Sequence, residues 1–343
     1  VIYTGALFMI SMAGIEADLL TIAIAFAVLG AAYAILGGLR AVAVSDTYGG
    51  ILVLAMGLLI VVLSLMAIDF DFSGIPAERL TLIGDNASPI PWPTLLTGMF
   101  LIQIFYWSTN QTITQRAMAA PTVKEAQKGV YAAAFIRVVF IPSMVVIPGI
   151  VAFKLYGDIG DQAYGRIVGD LLPGWLSGIF AAAIAAAVLS SFNSMVNSSA
   201  AMYVCDLHEA YINDKPNLRL LSGVATAIFV IIAVSMVPIY AQSDSIINLL
   251  QELWGLISMP ILACFAVGLL FRNVDYRAAI AAVIIGVLMY AGFIWLWMPL
   301  HYIHMMFFTF FTCVAMALLI NRFGLGKKAE FIGLQKEQLQ RAV

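Results

Sequence analysis

The sequence predicts an all-α polytopic membrane protein, and three observations carry that prediction. Hydrophobic residues fill 63% of the 343 positions and charged residues only 10%, for a mean hydropathy of +1.00. A soluble domain carries roughly 25% charged residues because its surface must be solvated, so this chain has too little charge to cover itself in water. The apolar residues gather into runs near the length of about 20 that crosses hydrocarbon. The cations then sort onto alternate loops. The same composition excludes collagen, disorder and a disulfide scaffold, with 27 Gly, 12 Pro and 3 Cys. Cys205, Cys264 and Cys313 sit in or beside apolar runs without ligand-like spacing and read as small hydrophobes. A net charge of −2 gives no basic footprint for nucleic acid.

In chain order the runs are a partial one at 1–15, then 19–38, 43–68, 93–109, 129–154, 174–204, 219–240, 246–271, 278–299 and 302–321. Nine spans and one partial span are expected, forming a transmembrane domain over 1–321 with a cytoplasmic tail at 322–343. The run at 93–109 is short and ends in Ser108-Thr109-Asn110-Gln111, which predicts a helix that stops inside protein or at a cavity. Counting loops alternately puts thirteen cations on one side: Arg40, Arg116, Lys124, Lys128, Lys215, Arg219, Arg272, Arg277, Arg322, Lys327, Lys328, Lys336 and Arg341. Three fall on the other, Arg79, Lys154 and Arg166, where the loops are acidic. Positive loops stay inside, so the Arg40 loop and the C-terminus are expected to be cytoplasmic in a cell (inner or plasma) membrane. The chain begins Val-Ile-Tyr within an apolar run, with no basic segment before it, and reads as a fragment rather than as a signal peptide.

Polar residues inside apolar runs are the functional candidates, because hydrocarbon penalises them. Arg137 lies within the 129–154 run, where a mid-span charge costs about 2.5–3.5 kcal/mol on insertion scales. It either snorkels to the cytoplasmic face or faces an internal cavity. Ala187, Ser190, Ser191, Ser194 and Ser198 recur at spacings of three and four and are expected on one helix face. Hydroxyl and carbonyl oxygens are hard ligands suited to Na⁺; close helix packing through small residues explains the same pattern. Gln103, Tyr106 and Asn110, with Trp107 and Gln111 beside them, place amides and a phenol against aromatic rings. Such a group suits a sugar, which presents hydroxyl edges and apolar faces; an interfacial aromatic belt is the competing reading. Trp92 and Trp107 fit the belt, whereas Gln103 is expected to be buried. Gln251 could reach a cavity, and Glu252 reads as an interface residue or as a paired carboxylate. Asp46 stands near a helix start, where an Asp complements the helix dipole.

These motifs together resemble the sodium:solute symporter family, in its sodium–glucose and sodium–galactose cotransporter branch. Phe105-Tyr106-Trp107-Ser108-Thr109-Asn110-Gln111, Gln115-Arg116-Ala117-Met118-Ala119-Ala120 and Ala126-Gln127-Lys128-Gly129 carry the resemblance. So do Ser190 through Ser198 with Asp206-Leu207, Gly37 through Asp46, and Gln251-Glu252 through Pro260. The resemblance implies a leucine-transporter-like inverted repeat, here incomplete at its N-terminus and starting within the third core helix. It implies a sodium site at Ala187 (carbonyl), Ser190 and Ser191 (hydroxyls). It implies a possible second sodium site or ion exit at Asp46, Asn193 and Ser194, although Asn193 departs from the usual Ser or Thr. Substrate contacts would fall on Gln103, Tyr106, Asn110, Arg137 and Gln251, and the gate on Tyr106 and Trp107. Gln103 stands where galactose transporters have Asn, and Arg137 where they have Lys.

The function expected is a sodium-coupled symporter that imports a sugar by alternating access in a lipid bilayer. No cofactor is expected beyond Na⁺ as coupling ion, and no enzymatic chemistry. Because Arg binds carboxylates in bidentate fashion, a uronate, sialic acid or other organic anion is the alternative solute. A channel or membrane sensor is the alternative of a different class. Neither a filter-like loop nor an attached soluble domain speaks for it, and His208, His301 and His304 sit at run ends, which speaks against an intramembrane enzyme.

Overall fold

A computed structural model describes residues 1–333 apart from 15, 82, 87, 89, 244 and 245; over 33–46 only the helical backbone, and no side chain, is described. The chain divides into two compact units. The first joins Val1–Leu80 to Lys128–Ile246, and the second joins Thr81–Gln127 to Ile247–Val343. Seven helices among the described residues are long and apolar enough to cross a membrane.

The first unit opens with α1 (Ile2–Ala13) and α2 (Leu19–Ala67). The sequence predicts two spans where the structure has the single helix α2. No proline stands near the expected break, and Gly37-Gly38 lowers helix propensity without forbidding a helix. Its apolar described parts, Leu19–Ala32 and Thr47–Ala67, match the cores of the two predicted runs. The expected turn at Arg40, and Asp46 with it, fall outside the described side chains. Asp18 caps the helix start by accepting the Thr21 N–H at 2.9 Å.

The 129–154 run becomes α5 (Val123–Val139), which begins in the second unit, and α6 (Ile141–Tyr156). Pro142 has no N–H to continue the ladder across Phe140, so one expected helix appears as two segments. Next come α7 (Ala163–Leu171), α8 (Gly174–Ala201), α9 (Leu218–Ser235) and α10 (Val237–Ala241). The core is drawn from α2 (Met56, Ile60), α6 (Val151, Ala152), α7 (Ile167, Val168) and α8 (Phe180). α8 lies along α2 where Gly30 leaves room for Phe192: a Cβ there would stand 2.7 Å from the ring.

All three cations that the sequence puts on the acidic side are paired in this unit. Arg79 meets Asp158 at 2.8 Å and lies over the Phe153 ring at 3.8 Å. Lys154 meets Asp71 at 3.0 Å, and Arg166 meets Asp170 at 3.1 Å. The hydroxyl and backbone N–H of Ser73, with the Lys154 ammonium adding to them, hold the Asp71 carboxyl down at about 2.

The second unit contains α3 (Gly98–Ser108), α4 (Gln111–Met118), α11 (Ile246–Leu270, from Ile247 on), α12 (Tyr276–Trp295) and α13 (Tyr302–Leu319). Its core gathers Leu101 and Ile102 with Met259, Leu262, Tyr290, Ile303 and Met306. α3 and α13 approach until Gly98 rests on the Ile303 carbonyl, where a Cβ would collide with backbone. Beside this contact Thr97 Oγ1 and His304 Nδ1 share a hydrogen bond of 2.9 Å.

The described part of the expected tail is folded. Residues after α13 turn back, and β2 (Glu330–Phe331) pairs antiparallel with β1 (Phe271–Arg272), just beyond α11. Buried Asn321 ties the turn together. Its Nδ2 donates to the carbonyls of Asn273 and Lys327, both at 2.9 Å, and its Oδ1 accepts the Asp275 N–H at 2.9 Å. Lys327 closes on Asp275 at 2.7 Å.

Gly98→Ala is expected to lower thermal stability by about 1–3 kcal/mol, the usual cost of overpacking. Gly129→Ala, on α5 with open space around the added methyl, should be neutral or stabilise by about 0.5–1 kcal/mol through helix propensity. Thermal unfolding of the two variants in detergent checks the pair.

Candidate functional site

α8 opens with alanines and small residues and turns polar over Ser190 to Ser199. The expected single face is only partly realised. Ser190, Ser194 and Ser198 are buried and Ala187 is half-buried, but Ser191 is exposed. Each helical residue turns about 100° from the last, so Ser190 is buried while its neighbour Ser191 lies at the exposed edge of that face. Ser194 Oγ donates to the Ser190 carbonyl at 2.9 Å, a back-bond that keeps a hydroxyl inside the helix.

Asn193 is the unusual member. Its side chain is completely buried, and neither its Oδ1 nor its Nδ2 has a hydrogen-bond partner. An unsatisfied buried polar atom costs about 1–3 kcal/mol, and here two belong to one amide. The neighbouring Phe192 is used in packing against Gly30. Asn193 and the buried serines thus set amide and hydroxyl oxygens side by side in a helix otherwise given to apolar contact. Among the described residues no group of three or more His, Cys, Asp or Glu comes together as a metal site. A cation at α8 would meet hydroxyl, amide and carbonyl oxygens, the hard donor set expected for Na⁺.

Arg137 also belongs to the first unit. It is exposed on α5, as is every residue from Tyr131 to Val139.

The aromatic and amide cluster lies in the second unit. Tyr106 stacks on Trp254 with ring centroids 5.6 Å apart and meets Trp107 edge-on at 5.0 Å. Gln103, expected to be buried, is exposed: the buried face of α3 carries Gly98, Leu101 and Ile102, and Gln103 falls outside it. Its Oε1 accepts the Trp107 indole N–H at 3.1 Å. Asn110 does not continue the face of Gln103 and Tyr106. α3 ends at Ser108, and Asn110 is the N-cap of α4, where its Oδ1 accepts the Thr112 N–H at 3.0 Å. The polar sequence at 108–111 does stop a helix, as expected.

Gln251 lies on α11 one turn before Trp254, and its buried Oε1 has no partner. Trp254 was not singled out in the sequence, although its spacing of three from Gln251 was the available signal. Nor was Tyr290, whose buried hydroxyl has no partner and rests against Gly255. Glu252, between these groups, is half-buried on the same helix. Tyr302 of α13 donates to Asn248 Oδ1 at 3.4 Å, one turn before Glu252.

Membrane-length helices that hold unpartnered amides and hydroxyls define a polytopic helical membrane protein. The model of the sodium:solute symporter family matches residues 1–286, and the chain belongs to that family. Similar curated proteins include the uncharacterized symporter YidK of Escherichia coli (strain K12), 31% identical over 85% of this chain and 54% of its own length. The sodium/glucose cotransporter of Vibrio parahaemolyticus is 31% identical over 84% of this chain and 59% of its own. Sodium/myo-inositol cotransporter 2 of Oryctolagus cuniculus is 26% identical over 85% and 49%. The chain therefore spans about half the length of these relatives. Among solved structures, the substrate-bound outward-open state of a Na⁺-coupled sialic acid symporter overlays with a TM-score of 0.78 at 18% identity, over 96% of this chain and 71% of that one. The leucine-transporter-like fold expected from the sequence is borne out by that likeness.

Asn193→Leu, which keeps the branched shape without the polar atoms, is expected to stabilise the sodium-free protein by about 1–3 kcal/mol, the desolvation cost of an unpaired polar group. Thermal unfolding in sodium-free choline buffer checks this.

Proposed function

We propose that this chain provides most of the transport core of a sodium-coupled symporter that imports a sugar-like solute by alternating access. The observation that carries the reading is the buried polar stretch of α8, with its unpartnered Asn193 amide beside Ser190 and Ser194. Natural chains keep such a cost where a ligand repays it. Na⁺ is held by the Ala187 carbonyl and the Ser190 and Ser191 hydroxyls. Asn193 and Ser194, with Asp46, serve a second ion or the exit route. Tyr106 and Trp107 form the gate over a solute contacted by Gln103, Asn110 and Gln251. Trp254, stacked on Tyr106, extends the aromatic surface available to an apolar sugar face. Sodium favours the outward-open state and solute favours occlusion, so each ligand biases a two-state element through its differential affinity. The Arg40 side and the C-terminus are cytoplasmic in this reading, and the membrane is the cell membrane. Two relatives named for glucose and myo-inositol support a polyol solute.

In proteoliposomes of the complete protein, an inward Na⁺ gradient is expected to drive saturable, electrogenic uptake of labelled sugar. Ser191→Ala should raise the Na⁺ concentration for half-maximal uptake about 10- to 100-fold, the worth of one bond to a charged group. Uptake that persists unchanged without Na⁺, or a Na⁺ dependence unaltered by the substitution, overturns the coupling.

A second reading, a carboxylated solute, is favoured by Arg137, an arginine in an apolar span. A Na⁺-coupled sialic acid symporter has a similar fold. Arg137→Lys replaces a bidentate fork by a point charge and is expected to shift competition from uronates and sialic acids towards neutral sugars. Identical competition profiles for the two proteins would refute that reading.

A further inference from the structure

Three membrane-length helices of the second unit finish close together in sequence and structure. α11 ends at Leu270, α12 begins at Tyr276, and the membrane-length segment that starts with α13 ends at Gly324. The β1–β2 ribbon and the Asn321 hydrogen bonds hold the segment after α13 against the α11–α12 turn. This small region carries five exposed cations, Arg272, Arg277, Arg322, Lys327 and Lys328, against two carboxylates, Asp275 and Glu330. Asp275 is already engaged by Lys327 at 2.7 Å, and Glu330 is the strand-register partner of Arg272. A cleft of about 480 Å³ opens here between Asn273, Val274, Lys327, Lys328 and Glu330. Around the charges stand exposed rings: Tyr276 (66% exposed), Phe323 (77%) and Phe331 (70%). The Arg277 and Arg322 guanidinium groups each lie 5.7 Å from a ring centroid, over Tyr276 and Phe323.

Exposed aromatics at the ends of membrane-length helices mark the level of the lipid headgroups. Basic groups at that level meet phosphodiesters. We propose that this end of the second unit is a binding site for an anionic phospholipid headgroup, with Lys328 and Arg322 as its principal cations and the cleft as the seat of the phosphate. The charge excess selects an anionic lipid over a zwitterionic one, whose own ammonium offsets its phosphate. The rings and the adjoining helices select a lipid over a free anion, since only a lipid brings acyl chains. Ligation here would bridge the ends of α11 and α13 through the ribbon, and so would stabilise the unit.

The test titrates the purified complete protein, in neutral detergent, with dioctanoyl-phosphatidylglycerol, dioctanoyl-phosphatidylcholine and inorganic phosphate, following the melting temperature. Phosphatidylglycerol is expected to raise it saturably, and the other two at equal concentration to leave it unchanged. R322Q and K328Q should each move the phosphatidylglycerol midpoint about fivefold upward, the effect of removing one cation near a headgroup. R322K and K328R, which retain the charge, should bind as the wild type does and show that a loss in the Gln variants is not misfolding. Equal responses to the two lipids, a full response to inorganic phosphate alone, or unshifted midpoints in R322Q and K328Q would overturn the proposal.

Discussion

Hydrocarbon offers no hydrogen-bond partner, and the architecture follows from that one constraint. Every backbone N–H and C=O inside the membrane must be satisfied along its own helix or by a neighbour. Helix interruptions therefore come with their own provision. The break at Phe140 falls where Pro142 has no N–H to lose, and the break after Ser108 is closed by the Asn110 side chain at the start of α4. Where serine and threonine hydroxyls lie in the spans, most turn back on a carbonyl one helical turn earlier, as at Ser194, Ser199 and Thr309.

Against that economy the unpartnered groups stand out: among the described residues, the Ser64 hydroxyl, both polar atoms of Asn193, His208 Nδ1, the Gln251 carbonyl and the Tyr290 hydroxyl. Gln251 was already suspect from sequence because an amide in an apolar run is expensive, and Asn193 because it departs from the Ser or Thr that the family resemblance implies. The charges sort by the same rule. Where the acidic loops keep a cation, an acid neutralises it, as with Arg79, Lys154 and Arg166. The basic surface around α12 retains an excess instead, and that difference separates a loop that is merely solvated from one built to meet phosphate.

Apolar run length made the membrane-length helices legible, since hydrophobicity is a property of each residue and does not depend on partners. Family membership was legible in ordered motifs such as Phe105 to Gln111 and Ser190 to Ser198. Rotational position was not. Ser191 was grouped on one face with Ser190 and Ser194 by spacing, and Gln103 was expected to be buried, but which side of a helix is buried depends on its neighbours, and in a chain this apolar the pattern gives little contrast. The fold of the segment after α13 was missed for a similar reason. A two-residue strand and one asparagine have no periodicity to read, and Asn321 matters only because Asn273, Asp275 and Lys327 are brought to it.

The contact at Gly98 has a mechanical meaning. With no side chain between α3 and the Ile303 carbonyl, and Thr97 bonded to His304, the two helices have no compressible layer between them. Tyr106 sits two turns along α3 from that contact, on the same short rod. A displacement of α3 would carry α13 with it or tear the joint, so the rod that bears the tyrosine and α13 behave as one rigid piece.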